Sequence, residues 1–578
     1  MRPAADVAAG AAEVARRRLL DRMQRRDSVA GHDVVARSLA RCGVTHVYGV
    51  PGRPIDATLA ACLRAGIRVI GARQQQGAAL MSIAHNYVAG GLRSAVIVSA
   101  GPAVANAATG VLVAHDNRWP LLVIGGRRGT DTGGAGAFQG FDGAGFLAPI
   151  TKSATMAADT EGLADRLVEA CVATMNGAPG PVYVDVAEEA LSGRTQRLPA
   201  SMVSCAPIAP GAPAGDADRV AIREAAHALA ASRRPVLLIG KGLRWSGDWG
   251  WLRRLVEQHV VPFAAAPMAR GFLPDDHPMC VSDVRGQALA EADLVMMVGA
   301  RFNWTFHYGI EIAPTARIIR VDVDPDEARD VLGRGIGLRG DAAATARRLL
   351  DALDAPTATT RRAPRDVDWL ARLQAMRRAV DDAIRAQADV RAEPMSPYQW
   401  LGEVREVLPA SAITVLDGNV VMAAAQRMLP VRAPLGRVTA ASNGCMGTGI
   451  PFAIGAKLAC PERPVVAVCG DFGFGLSAIE LETAVRHKVP ITAIVANNGG
   501  PGGSTRQSEF FAAVSDEPVA RYTDGIRHDL IARALGAQGV RVQGPGELGP
   551  ALRSALAAAS TTCIDVVTND DVPLSPVI

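Results

Sequence analysis

The sequence predicts an α/β protein of about three domains, with a parallel, Rossmann-like sheet at its centre. Three observations carry this. A chain of 578 residues is too long for a single hydrophobic core. Short apolar, β-rich runs at 235–240, 294–299 and 464–469 alternate with helical stretches, which is the pattern of parallel sheets. Segments crowded with Pro, Ala, Ser, Thr, Arg and Gly, at 198–217 and 354–368, interrupt that pattern where boundaries belong.

The elements follow in order. Residues 1–30 hold Arg16, Arg17, Arg18, Arg25 and Arg26 and read as a polar N-terminal arm that packs on a neighbouring subunit. Asp6, Glu13, Asp21 and Asp27 make the stretch too acidic for a transit peptide, and it has no apolar run for secretion. Residues 31–195 form a first domain that closes on the strand 180–186, and 196–217 is a linker. The central domain, 218–353, carries strands at 235–240, 294–299 and 318–322. Residues 354–394 are a linker and a charged helix, and 395–578 form the third domain.

Composition excludes several functions. Apolar residues make up 49% of the chain and charged ones 20%, and no run of about eighteen apolar residues marks a membrane span. The net charge of +4 is small and dispersed, so nucleic acid is not implied. Nine cysteines without metal spacing fit a reducing cytoplasm.

The most informative motif lies near the end. The run 464–469 reads as a buried strand, Gly470 turns the chain, and Asp471 lies at the strand's carboxyl edge. A helix is expected over 478–486. The strand 491–496 then brings Asn498 to the same edge, twenty-seven residues after Asp471. Carboxyl edges of parallel strands are where α/β folds bind ligands. Asp471, Asn498 and the Gly500 carbonyl supply the oxygen ligands that magnesium prefers, with diphosphate oxygens completing the shell.

This pairing resembles the thiamine diphosphate (ThDP) enzyme superfamily, whose motif opens Gly-Asp and closes Asn-Asn at about this distance. The resemblance implies a three-domain fold in which two ThDP-binding α/β domains, pyrimidine-binding (31–195) and diphosphate-binding (395–578), flank the Rossmann-like one. It implies that Gly470, Asp471, Phe472, Gly473, Asn498 and Gly500 hold the diphosphate and its Mg2+. Gly444 takes the place of the carbonyl that meets the aminopyrimidine, and Met446 that of the apolar wedge that bends the cofactor. The first domain, with the runs 48–54, 66–73 and 99–102, resembles acetolactate synthase, oxalyl-CoA decarboxylase and 2-hydroxyacyl-CoA lyase. The runs 119–126, 136–139, 267–278 and 299–304 are similar to the acyl-CoA branch.

Three positions depart from these relatives. The run Arg73-Gln74-Gln75-Gln76 places Gln75 where they carry a glutamate that exchanges a proton with ring N1′ of the cofactor, and an amide hydrogen-bonds but shuttles no proton near neutrality. Pro501-Gly502 replaces an Ile-Tyr, and Ala103 a glycine. Gln139 and His115 are expected near substrate. For a nucleotide, ADP or CoA, the resemblance points to Lys241, Gly242, Arg285 and Asp322; His487 reads as a surface turn.

The expected activity is ThDP- and magnesium-dependent making or breaking of a C–C bond beside a carbonyl, on a small carbonyl or acyl-CoA substrate, resembling 2-hydroxyacyl-CoA lyase or oxalyl-CoA decarboxylase. The alternatives are an acetolactate-synthase-like carboligase on 2-oxo acids, where FAD is the less favoured extra cofactor, and a catalytically impaired ThDP-binding scaffold. Because family members complete the site between subunits, a homodimer is the minimum and a homotetramer the expectation, located in the cytoplasm.

Overall fold

A computed structural model describes residues 28–129, 138–196, 216–329, 333–355, 362–501, 510–511 and 513–569. Most of the predicted N-terminal arm and first linker, residues Thr130, Gly136, Ala137 and Gly502, and the tail from 570 lie outside these.

Three parallel sheets occupy three successive stretches of chain. In the first stretch β1 (Val29–Ala30) is followed by β2 (His46–Gly49), β3 (Arg68–Gly71), β4 (Ser94–Val98), β5 (Leu121–Arg127), β6 (Ser153–Ala157), β7 (Pro181–Ala187) and β8 (Arg194–Thr195). Strands β2 to β7 form one sheet in the order β3-β2-β4-β5-β7-β6, and β1 pairs antiparallel with β8 to clasp the ends of the stretch together. The central sheet runs β10 (Phe263–Ala265), β9 (Pro235–Ile239), β11 (Leu294–Val298), β12 (Arg317–Asp322), β13 (Gly335–Arg339). The third runs β15 (Arg437–Thr439), β14 (Ile413–Asp417), β16 (Val465–Gly470), β17 (Thr492–Asn497), β19 (Thr562–Val567), β18 (Gln538–Val542). Counted from its own first strand, each flanking sheet has the same order, 2-1-3-4-6-5, and the central one is 2-1-3-4-5.

Every residue of β4, β9, β11 and β14 is buried. That is why these strands read as mainly apolar runs, interrupted only by Ser94 in β4 and by Thr414 and Asp417 in β14: helices cover both faces of a parallel sheet. Sheets of this order leave a crevice at the carboxyl ends of their first and third strands, where the connections diverge to opposite sides. In the central sheet that crevice lies between β9 and β11, and in the third between β14 and β16.

The first and third domains are packed helix to helix. The Gln75–Ala89 helix lies against the Gly449–Ala459 helix so closely that a Cβ at Gly455 would stand 2.1 Å from the Met81 carbonyl oxygen. Only glycine permits that approach.

One expectation gains an addition and one needs correction. Two helices follow β16: Asp471–Ser477, which is unexpected, and Glu480–Arg486, which is the helix expected over 478–486. The first starts directly on the motif, because the Asp471 carboxylate accepts the Phe472 backbone N–H at its N-terminal end and needs no intervening loop. His487 is not a free surface turn: its Nε2 accepts the Gly71 N–H at 3.1 Å, and its carbonyl accepts Arg68 Nη2 at 2.8 Å, so it is held between two domains.

Candidate active site

The β14–β16 crevice holds a cavity lined by Gly418, Asn419, Val420, Val421, Met446, Gly470, Asp471, Phe472, Asn498, Gly500 and Pro501, among others. Asp471 is buried at its floor. One carboxylate oxygen accepts the backbone N–H groups of Gly499 and Gly500, both at 2.9 Å, and the other that of Phe472 at 2.7 Å. These donors favour the charged form, yet burial outweighs them and pushes the carboxyl up to about 6. A buried carboxylate in this condition is under-neutralised and suited to a cation.

The geometry around it fits a magnesium ion. The Asn498 side-chain terminus turned toward Asp471 lies 3.2 Å from Oδ1, 3.1 Å from Oδ2 and 3.2 Å from the Gly500 carbonyl oxygen. With nitrogen in that place the amide donates to all three. With oxygen there, the oxygens of Asp471, Asn498 and Gly500 face one another, an arrangement that a cation reconciles. Neighbouring ligands in a magnesium octahedron are about 3 Å apart, as follows from metal–oxygen distances of about 2.0–2.1 Å. Gly500 reaches this place at a φ of 153°.

The residues expected to hold the rest of the cofactor are divided between cavities. Met446 lines the Asp471 cavity, whereas Gly444, at a φ of 70°, lines a neighbouring one bounded by Met268, Trp304, Phe306, Leu416, Asp417 and Met422. Gly473 lines neither. It packs on Asp417, whose Oδ2 would be 2.9 Å from a Cβ at that position.

Gln75 opens the Gln75–Ala89 helix, and its Oε1 accepts Asn106 Nδ2 at 3.3 Å. The side chain that dominates its surroundings is one that sequence reasoning missed. Glu480 is fully buried. Its carboxylate accepts the backbone N–H groups of Arg73 and Gln74 at 3.2 Å and the Thr483 hydroxyl at 2.6 Å. Burial raises its pKa. The Arg73–Gln75 corner is thus held by an acid contributed from the third domain. The signal for it in the sequence was a lone glutamate two residues before another, Glu482, indistinguishable from a solvated helical face.

His115 pairs with Asp116 at 3.1 Å on the half-exposed end of the Pro102–Asn117 helix. Gln139, at a φ of 57°, lies over Gly101, whose Cβ would be 3.1 Å from that of Gln139. Neither they nor Gln75 lines the cavities described here, and among the described residues none of the first domain lines the Asp471 cavity.

The nucleotide candidates separate as well. Lys241, Gly242 and Asp322 line one cavity of the central sheet, together with Asn117, Arg118 and Arg301. Arg285 is elsewhere, bonded to Glu311 and the Thr305 carbonyl and stacked over Phe306. It ties the start of the Arg285–Glu291 helix to the turn at 304–311, and in the cavity Arg118 is paired with Asp324 at 2.9 Å. Lys241 turns inward, to Asn117 and Ser442.

Asp322 is pushed up to about 6, chiefly by burial. Its folded value lies above the 3.8 of an ordinary carboxyl, so its contribution to stability is complete at low pH and is lost as pH rises through about 6. Asp322→Asn, which keeps the oxygen that accepts the Asp324 N–H, is therefore expected to raise stability at pH 8 by about 1–3 kcal/mol and to leave it unchanged at pH 4. Denaturant melts at the two pH values check this.

Comparison with known families decides the assignment. The N-terminal TPP binding domain of thiamine pyrophosphate enzymes matches residues 29–146, the central domain 222–365, and the C-terminal TPP binding domain 417–566. The chain belongs to the thiamine pyrophosphate enzyme family. Thiamine pyrophosphate and ThDP are one compound, and the three parallel sheets are the three domains of that fold. As a ThDP enzyme, the chain is 30% identical to 2-hydroxyacyl-CoA lyase 1 of Mus musculus over 550 residues, covering 93% of this chain and 94% of the relative. It is 31% identical over 543 residues to a probable acetolactate synthase of Mycobacterium bovis, covering 93% and 96%. It is 28% identical over 553 residues to oxalyl-CoA decarboxylase of Escherichia coli strain K12, covering 95% and 96%. Among the described residues of this ThDP enzyme no helix is long and apolar enough to cross a membrane.

Proposed function

We propose that this ThDP enzyme uses magnesium and makes or breaks a C–C bond next to a carbonyl, on an acyl-CoA-type substrate. The observation that carries the reading is the cluster of Asp471, Asn498 and Gly500 oxygens at octahedral spacing. Those three residues hold the ion and, through it, the diphosphate. Gly444 and Met446 support the pyrimidine and the bend between the rings. Bound ThDP supplies a nucleophilic carbon and an electron sink, and the protein's share is orientation and proton management. Gln75 orients the pyrimidine nitrogen by hydrogen bonding, and Gln139 and His115 face the substrate.

The acyl-CoA side of the reading is supported by the cavity that Lys241, Gly242 and Asp322 line at the β9–β11 crevice, where a strand-end acid suits a ribose hydroxyl of a nucleotide, ADP or the end of CoA. Two relatives that the chain covers nearly end to end are named for acyl-CoA substrates. A homodimer, and by family habit a homotetramer, is supported by an Asp471 cavity whose described lining comes entirely from the third domain: the second half of the site then comes from another copy. In this arrangement Gln75 of one subunit serves the metal site of the next.

The test offers the enzyme, loaded with ThDP and Mg2+, a 2-hydroxyacyl-CoA and, separately, pyruvate. Release of an aldehyde from the thioester is the expected result. Consumption of pyruvate alone would move the protein to the acetolactate-synthase-like side. Tight ThDP binding with no turnover of either would make it a scaffold, a reading that Gln75 alone favours.

A further inference from the structure

The loop that carries Gly444 and Met446 does not hold itself. It joins β15 to the Gly449–Ala459 helix, and within seven residues Ala441, Gly444 and Gly447 have φ values of 48°, 70° and 78°. Left-handed backbone at this density, including one alanine, persists only where surrounding contacts over-determine it. Those contacts converge on one hydroxyl. Ser442 Oγ accepts Lys241 Nζ at 3.1 Å, Arg301 Nη2 at 3.3 Å and Asn303 Nδ2 at 3.0 Å. Its carbonyl accepts Trp304 Nε1 at 3.0 Å, and its N–H donates to Asn117 Oδ1 at 3.0 Å.

The neighbouring residues repeat the pattern. Asn117 Nδ2 donates to the Ala440 carbonyl at 2.9 Å, and Asn443 Nδ2 to Asp116 Oδ2 at 2.6 Å. The first domain contributes Asp116 and Asn117, the central one Lys241, Arg301, Asn303 and Trp304, and the third the loop itself. A hydroxyl oxygen has two acceptor lone pairs, so the three donors share it, and the bond from the Arg301 guanidinium is worth about twice a neutral one. Lys241 has no carboxylate among these partners. Burial and the charge of Arg301 lower its pKa, and its nitrogen is held by the oxygens of Asn117 and Ser442.

We propose that Ser442 is the positioning residue of the cofactor loop: by collecting Lys241, Arg301 and Asn303 it fixes the places of Gly444 and Met446, two and four residues on. It touches no reacting atom. The proposal rests on the reading of Gly444 and Met446 as ThDP contacts, and the experiment separates the two.

ThDP affinity in the presence of Mg2+ is measured by calorimetry for the wild type, Ser442→Ala and Ser442→Thr. The circular dichroism band of the bound aminopyrimidine and the melting temperature of the cofactor-free proteins are recorded alongside. The expected result is a Ser442→Ala affinity weakened roughly tenfold with an altered dichroic band, an unchanged cofactor-free melting temperature, and recovery in Ser442→Thr, which restores the hydroxyl. Wild-type protein that does not bind ThDP would overturn the functional reading and this proposal with it. Wild-type binding with an unaltered Ser442→Ala would overturn this proposal alone. So would equal losses in both variants accompanied by a lower cofactor-free melting temperature, since packing then accounts for them. If Ser442→Ala does not fold, Asn303→Ala, which removes one donor and keeps the loop, is read by the same criteria.

Discussion

Asp471→Ala is expected to weaken magnesium-dependent ThDP binding by at least roughly a hundredfold and to take turnover below detection, because the carboxylate is the one charged member of the oxygen cluster. The companion substitution, Asp471→Asn, separates function from folding. It keeps one oxygen, which serves the Gly499 and Gly500 N–H groups, gives up the acceptor of the Phe472 N–H, and removes a charge that burial already opposes, as the rise to about 6 shows. The lost hydrogen bond and the relieved charge oppose one another, so the cofactor-free Asn variant should melt close to wild type at pH 8 while losing most of its magnesium affinity. Calorimetric titration with Mg2+ and ThDP, beside thermal melts, checks both halves. Full magnesium affinity in Asp471→Ala would mean that the ion, if bound, is bound elsewhere.

Gln75→Glu carries the second large effect. Deuterium exchange at C2 of bound ThDP is expected to rise by about 100- to 10,000-fold, the usual worth of a positioned acid–base group. The local structure accepts the change. Position 75 begins a helix, where a negative charge gains about 0.3–1 kcal/mol from the dipole. Against this stands Glu480, which already holds the N–H groups of Arg73 and Gln74. Two carboxylates near one helix start raise one another's pKa, so one of them keeps its proton closer to neutrality than a free glutamate would. That opposes charge but suits proton exchange with a ring nitrogen. The pH profile of exchange should then show an ionisation above the ordinary glutamate range. Exchange no faster than wild type would show that the site has diverged beyond position 75.

The sequence made the clustering of Asp471, Asn498 and Gly500 legible, because it depends on residues at fixed places after two apolar strands. Asp471, Asn498 and Gly500 needed only a strand, a turn and another strand to be brought together. The central sheet was legible for the same reason, through the periodicity of 235–239 and 294–298. What could not be read is whatever depends on contacts between domains. Nothing in the order of residues says that Glu480 lies under the Arg73–Gln75 corner, that His487 accepts from Gly71, or that Lys241 donates to Ser442. Each pair is separated by hundreds of residues or joined across a domain boundary, and each partner taken alone has the look of an ordinary surface or turn residue. Arg285 failed for a related reason: position along the chain suggested a cavity lining, while Glu311 and Phe306 claimed the side chain first.

The shared 2-1-3-4-6-5 order of the two flanking sheets bears on how such a protein changes over generations. Matching the strands pairs the segment after β3, which holds Gln75, with the segment after β15, which holds Gly444; the segment after β4, with Gly101, pairs with that after β16, with Asp471. One strand order thus carries two different sets of loops. A substitution in one set, such as a change at Gln75, leaves the residues of the other set, Asp471 among them, as they were.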